Sequence, residues 1–217
     1  MNLRLKEEQK SLPKTRNLLA ACRVPAVLLL CLQYFCWSIG VYGFVLWLPT
    51  ILKAGMRQGI ETVGFLSVAP YLLAIILMVI ASHRSDRTLN RKRYVWPFLV
   101  LAALGLLGSY LTANHSFWLA YGFLVIAGGA MYAPYGSFFA ILPEILPENV
   151  AGEAMALVNS SGALGAFVGT WLVGLLQAVT GNSQAGFLFM SASLLLGGLL
   201  MLGLRHKKPD LTPAVVP

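Results

Sequence analysis

The chain has 217 residues, 58% hydrophobic and only 11% charged, with a formal net charge of +8 and a mean hydropathy of +0.73. A soluble domain carries about 25% charged residues, so this chain lacks the polar side chains to cover a water-facing surface. Soluble globules, disordered chains, nucleic-acid modules and disulfide-stapled secreted folds are excluded, and an all-α membrane protein is expected.

Residues 1–24 read as a basic tail with six cations: Arg4, Lys6, Lys10, Lys14, Arg16 and Arg23. Six stretches then reach the ~20 apolar residues that a helix needs to cross a bilayer. The first runs from Pro25 to Leu48 and is followed by Lys53 and Arg57. The second runs from Val63 to Ala81, and the loop after it carries Arg84, Arg87, Arg91, Lys92 and Arg93. The third, Tyr94 to Thr112, leads directly into the fourth, Phe117 to Leu142. An acidic loop from Pro143 to Glu153 precedes the fifth, Ala154 to Val179. The sixth runs from Gln184 to Leu204, and residues 205–217 form a tail with Arg205, Lys207 and Lys208. Residues 25–204 are thus expected to form one six-helix transmembrane bundle between two tails. If the spans alternate, all cations but Lys53 and Arg57 fall on one side. Cytoplasmic loops carry the excess of Lys and Arg, which places both termini in the cytoplasm.

Asp, Glu, Lys, Arg and His are absent from the spans away from their edges. Such groups are costly at membrane depth and mark proton relays, voltage sensors and anion clamps when present. An intramembrane enzyme lacks a base here, because His83, His115 and His206 lie in loops or a tail. Ser161-Gly162 resembles half of an intramembrane protease motif, but Asn159 stands where the upstream glycine belongs. Cys22, Cys31 and Cys36 are isolated among apolar and aromatic neighbours, so neither a metal site nor another cofactor is expected. A transporter bundle is the class that remains. Such bundles are often built from inverted repeats of three spans. Tyr42-Gly43 with Pro49 in span one and Tyr135-Gly136 with Pro143 in span four are a weak echo of that repeat.

Polar residues inside the spans are the candidates for function. Gln33 lies about 12 Å along the first helix at 1.5 Å per residue, near the middle of a core ~30 Å thick. Trp37, Gly40 and Phe44 continue its stripe at helical spacing, with Tyr34 and Ser38 beside it. One reading makes this a polar and aromatic wall facing a substrate; the other makes Gln33 an interhelical hydrogen bond holding the bundle together. Asn159 sits in the fifth span beside Gly162, Gly165 and Gly169, a small-residue face suited to close helix packing. Asn159 offers both donors and an acceptor to hydroxyl and carboxylate groups. Pro134 in span four lacks an N–H and is expected to kink its helix, near Tyr132, Tyr135 and Ser137.

The loop Ser85-Asp86-Arg87-Thr88 with Arg91-Lys92-Arg93 resembles the cytoplasmic signature of the major facilitator superfamily, with Ser82 and Leu89 near its two glycine positions. The run Tyr132-Ala133-Pro134-Tyr135-Gly136-Ser137-Phe138, through Pro143-Glu144 and Asn149-Val150-Ala151-Gly152 to Met155–Ser160, is similar to the anion:cation symporters of that superfamily. Gln33-Tyr34-Phe35-Cys36-Trp37 and Leu46-Trp47-Leu48-Pro49 extend the likeness over nearly the whole chain.

The resemblance covers only the C-terminal six-helix half of a twelve-span fold. It implies symport of a small organic anion, such as an aldonate, hexuronate, tartrate or phthalate, with H+ or Na+. It also implies a bacterial inner membrane and alternating access against a partner, either a separate N-terminal bundle or a second copy. The basic residues 1–24 then correspond to the end of a central loop. Gln33 and Asn159 are expected to orient the substrate, with Ser160 beside Asn159. Trp37, Tyr34, Tyr135 and Ser137 are expected to shape the pocket. Asp86 and Arg87 are expected to act as a gate latch, or else only to set topology. The alternative expectation is a non-transporting remnant, or one subunit of a split transporter.

Overall fold

The computed structural model describes residues 24–55, 60–145, 148–181 and 184–204. The two tails lie outside these residues, apart from Val24 and Leu204 at their edges. The described residues form seven α-helices and one short 3-10 helix. Helix α1 is Pro25–Gly55 and α2 is Ile60–Thr88. The 3-10 turn Arg91–Tyr94 leads into α3, Trp96–Thr112. Helices α4, Phe117–Tyr132, and α5, Tyr135–Ile145, together make the fourth span. Helix α6 is Glu148–Thr180 and α7 is Gln184–Gly203. Six spans are long and apolar enough to cross a membrane, and the chain is a multi-pass integral membrane protein.

The helices outrun the apolar stretches that announce them. Helix α1 has 31 residues and continues through Pro49 to Gly55, about 46 Å at 1.5 Å per residue. Hydropathy marks the ~30 Å oily core, whereas backbone hydrogen bonding carries the helix on into the headgroup layer. For the same reason α2 continues beyond Ala81 to Thr88. Span four breaks at Ala133 and Pro134, as the missing proline N–H requires.

The spans fall into two triplets that exchange partners. The third span of each triplet packs on its counterpart and on the first span of the opposite triplet: α3 on α7 and α4, α7 on α3 and α1. The second span of each packs on the first of the other, α6 on α1 and α2 on α4. Three crossings per triplet make the second run opposite to the first, so this exchange is the inverted 3+3 repeat of a transporter bundle.

Helix α1 is the hub: 67% of its apolar window is buried, against 17% for span two and 22% for span five. Trp37, Phe44 and Leu48 of α1 are wholly enclosed. Its contact with α6 is made by glycines. A Cβ on Gly169 would stand 2.5 Å from the Ile39 carbonyl oxygen, one on Gly165 would meet the Phe35 carbonyl, and one on Gly162 the Tyr34 ring. Small residues thus bring two backbones together where lipid offers no hydrophobic drive. Interhelical hydrogen bonds add to this packing. Ser161 Oγ donates to the Cys31 carbonyl at 3.0 Å, Ser191 Oγ to Ala103 at 2.8 Å and Trp47 Nε1 to Thr170 at 3.3 Å.

Candidate functional site: a buried amide, an aromatic wall and a cytoplasmic clamp

The stripe Gln33, Trp37, Gly40 and Phe44 is buried as its helical spacing predicts. Gln33 has no exposed surface, and neither its Nε2 nor its Oε1 has a protein hydrogen-bond partner. Buried amides are nearly always hydrogen-bonded, and an unmatched one costs about 1–3 kcal/mol per group. Ser38 of α1 and Ser137 of α5 are likewise buried with unpartnered hydroxyls. The bundle therefore carries polar capacity on its first and fourth spans that its own side chains do not use.

Beside Gln33 an aromatic cluster joins four helices. Tyr34 stacks on Phe138 with centroids 5.2 Å apart. Trp37 lies 4.5 Å from Tyr135 and meets Phe138 edge-on. Tyr135 stacks on Tyr132 at 5.7 Å, and Tyr132 reaches Tyr71 of α2 at 5.9 Å. Offset and edge-on pairs of this kind add stability beyond their buried area. Trp37 is fully buried, and its indole N–H donates to the Met131 carbonyl at 2.9 Å. Tyr135 is half-buried, whereas Tyr34 is nearly enclosed.

Asn159 and Ser160 stand apart from this cluster, on the exposed face of α6. That face runs through Gly152, Ala156, Asn159, Ala163, Phe167 and Trp171. Three residues after Asn159, Gly162 packs against Tyr34, so the exposed polar pair lies one turn along α6 from the aromatic wall. Within this bundle Gln33 and Asn159 do not share a pocket wall: one is enclosed and the other uncovered.

At one end of the bundle Arg91 holds two carboxylates. Its guanidinium pairs with Asp86 at the end of α2, and its Nε donates to Glu144 of α5 at 2.9 Å. The Arg91 side chain is only 12% exposed, while those of Asp86 and Glu144 are 64% and 33% exposed, so water reaches the carboxylate side of both pairs. Lys92 Nζ donates to the carbonyls of Leu202 and, at 2.9 Å, Leu204 at the end of α7, where a cation also suits the helix dipole. Asp86 thus lies in an ion-pair network, while Arg87 is exposed and both bridges run through Arg91. Sequence reasoning missed Arg91 and Glu144 as partners because they lie 53 residues apart; the only local signal was their place in two family motifs. Leu89, at the signature's second glycine position, has φ +51°, the left-handed conformation that favours glycine.

Six crossings, an inverted repeat and unpaired polar groups along the first and fourth spans define a membrane transporter bundle. The sequence profile of the Major Facilitator Superfamily matches residues 30–217, and the chain belongs to that family. It is a family of transporters, not of enzymes. The chain is 34% identical over 185 residues to a quinolone resistance transporter of Acinetobacter baumannii, covering 85% of this chain and 42% of that protein. It is 31% identical over 215 residues to a protein provisionally named a tartrate transporter of Agrobacterium vitis, covering 94% and 47%. It is 26% identical over 201 residues to the inner membrane transport protein RhmT of Escherichia coli strain K12, covering 92% and 46%. The chain spans about half the length of the curated relatives it matches.

Proposed function

We propose that this chain is the C-terminal bundle of a secondary active transporter that carries a small organic anion, a sugar acid such as an aldonate or hexuronate, together with H+ or Na+. The observation that carries the reading is the uncovered pair Asn159–Ser160 within span five. An amide facing hydrocarbon would leave its donors and acceptor unmatched, at a cost of several kcal/mol on an alkane reference. It therefore faces a water-filled pathway closed on the far side by a second bundle. Asn159 and Ser160 take hydroxyl and carboxylate groups of the substrate. Gln33, with its unmatched amide, does the same from α1 when the bundles rearrange. Tyr34, Tyr135 and Ser137 shape the pocket, with Trp37 backing Tyr135. Asp86, Arg91 and Glu144 form the cytoplasmic latch, with Arg87 at its rim. Both termini are cytoplasmic, and the membrane is the bacterial inner membrane.

The half-length match to its relatives and the tartrate carrier among them support this assignment. The test is uptake of a panel of labelled sugar acids into proteoliposomes holding this chain with an N-terminal bundle. Gln33→Ala and Asn159→Ala are each expected to lower uptake about tenfold or more, the loss of roughly 1.4 kcal/mol of binding. Unchanged uptake in both variants removes both site assignments.

A second reading is favoured by one observation: among the described residues, the span interiors hold no ionisable anion clamp or proton carrier. On that reading the chain is a subunit that transports only with a separate bundle supplying those charges, or a remnant that does not transport. Uptake by this chain alone, above empty liposomes, contradicts it.

A further inference from the structure

Four prolines interrupt the described spans: Pro49 in α1, Pro70 in α2, Pro134 between α4 and α5, and Pro143 in α5. Each removes an N–H and pushes away the carbonyl four residues earlier. Pro49 and Pro143 are exposed, near helix ends where water can satisfy the freed carbonyls, but Pro70 and Pro134 are buried. A buried carbonyl without a donor is costly, and at Pro70 an aromatic side chain supplies one. Pro70 frees the carbonyl of Leu66, and Tyr121 of α4 donates its hydroxyl to Leu66 O at 2.9 Å. Pro134 frees the Ala130 carbonyl, whereas the Trp37 indole N–H goes to Met131 O at 2.9 Å, so the replacement of the lost bond is specific to Pro70.

Span four thus supplies the donor that α2 lacks at Pro70. The contacts around Pro70 agree. A Cβ on Gly128 of α4 would stand 2.6 Å from the Pro70 ring and 3.0 Å from Phe44 of α1, so the Pro70 turn of α2 is seated in a notch on α4.

We propose that Tyr121 is a positioning residue of the transport pathway, replacing the hydrogen bond that buried Pro70 removes and so fixing the turn of span two around it. Tyr71, next to Pro70 and 5.9 Å from Tyr132, takes its place from it. The transport role rests on the function proposed above. The capping itself does not, and its test needs no transport, so failure of one leaves the other standing.

The test exploits the fact that Pro→Ala restores the backbone donor. Amide hydrogen exchange is measured by mass spectrometry on the full chain in lipid nanodiscs. Tyr121→Phe keeps the ring and removes only the hydroxyl. It is expected to speed exchange about three- to tenfold in residues 65–73, the factor set by one net hydrogen bond, and nowhere else. In a Pro70→Ala background, where residue 70 donates to Leu66 O itself, Tyr121→Phe is expected to change nothing. Unchanged exchange in Tyr121→Phe, or an equal acceleration with and without Pro70, overturns the proposal, because ordinary packing by Tyr121 does not depend on a proline in α2. If an alanine variant fails to insert, Tyr121→Phe is compared with Tyr110→Phe, a half-buried tyrosine of α3. Equal local acceleration from both then overturns the proposal, and acceleration confined to Tyr121→Phe supports it.

Discussion

On the function proposed for it, Gln33 is held in conflict between folding and function. Its amide is enclosed with both ends unmatched, so apolar packing at the same volume serves the fold better. Gln33→Leu is expected to raise the unfolding free energy in mild detergent by about 1 kcal/mol while sugar-acid binding falls. Lower stability in that variant shows that the amide holds the bundle together instead. Leu89 carries a second local cost. At φ +51° a branched side chain is strained by about 1–2 kcal/mol relative to glycine. Leu89→Gly is expected to gain about 1 kcal/mol or slightly less, since glycine loses more backbone entropy on folding; a thermal melt in detergent reads the sign. The sequence showed only a leucine near a glycine position of the resembled signature; the strain itself lies in the backbone angle. The unmatched amide of Gln33 was not visible there either, because both a hydrogen bond to a neighbouring helix and a substrate contact call for the same residue at the same depth.

Among the elements, α1 and α6 depend on each other most closely. Gly165 and Gly169 press against carbonyls of α1, and backbone cannot rotate away as a side chain can. Gly165→Val is expected to push the helices apart and cost about 1–3 kcal/mol or more. At Gly64, where nothing lies within 4 Å of an added Cβ, alanine is expected to be tolerated; equal losses at both positions contradict the close-packing account. Helix positions were legible because 20-residue apolar runs have little other use, and the break at Pro134 followed from its missing N–H. Helix ends were less legible, since α1 and α2 continue past the oily core. Nor could periodicity say which side of α6 is uncovered: Gly162 and Asn159 lie one turn apart, yet one packs on Tyr34 and the other is exposed. That distinction arises from the three-dimensional exchange between triplets.

For the whole molecule, the proposed function sets two regions against a second bundle: the uncovered face of α6 and the clamp around Arg91. Arg91 bridges the ends of α2 and α5, so Arg91→Gln is expected to slow uptake by the assembled transporter more than Arg87→Gln, with normal insertion of both. Equal effects return the loop to a topology signal alone. Exposed ion pairs contribute only about 0–1 kcal/mol each, so the change is expected in uptake more than in stability. The central claim is that Asn159 looks into water and substrate, not into lipid. It is tested most directly by placing a single cysteine at position 159, with Cys22, Cys31 and Cys36 replaced by alanine, in membranes holding both bundles. A water-soluble thiol reagent is expected to label Asn159→Cys, and a saturating sugar acid to slow that labelling, while Ile76→Cys on the apolar face of α2 stays unreactive. No labelling at 159, or labelling indifferent to every sugar acid while uptake continues, contradicts the account.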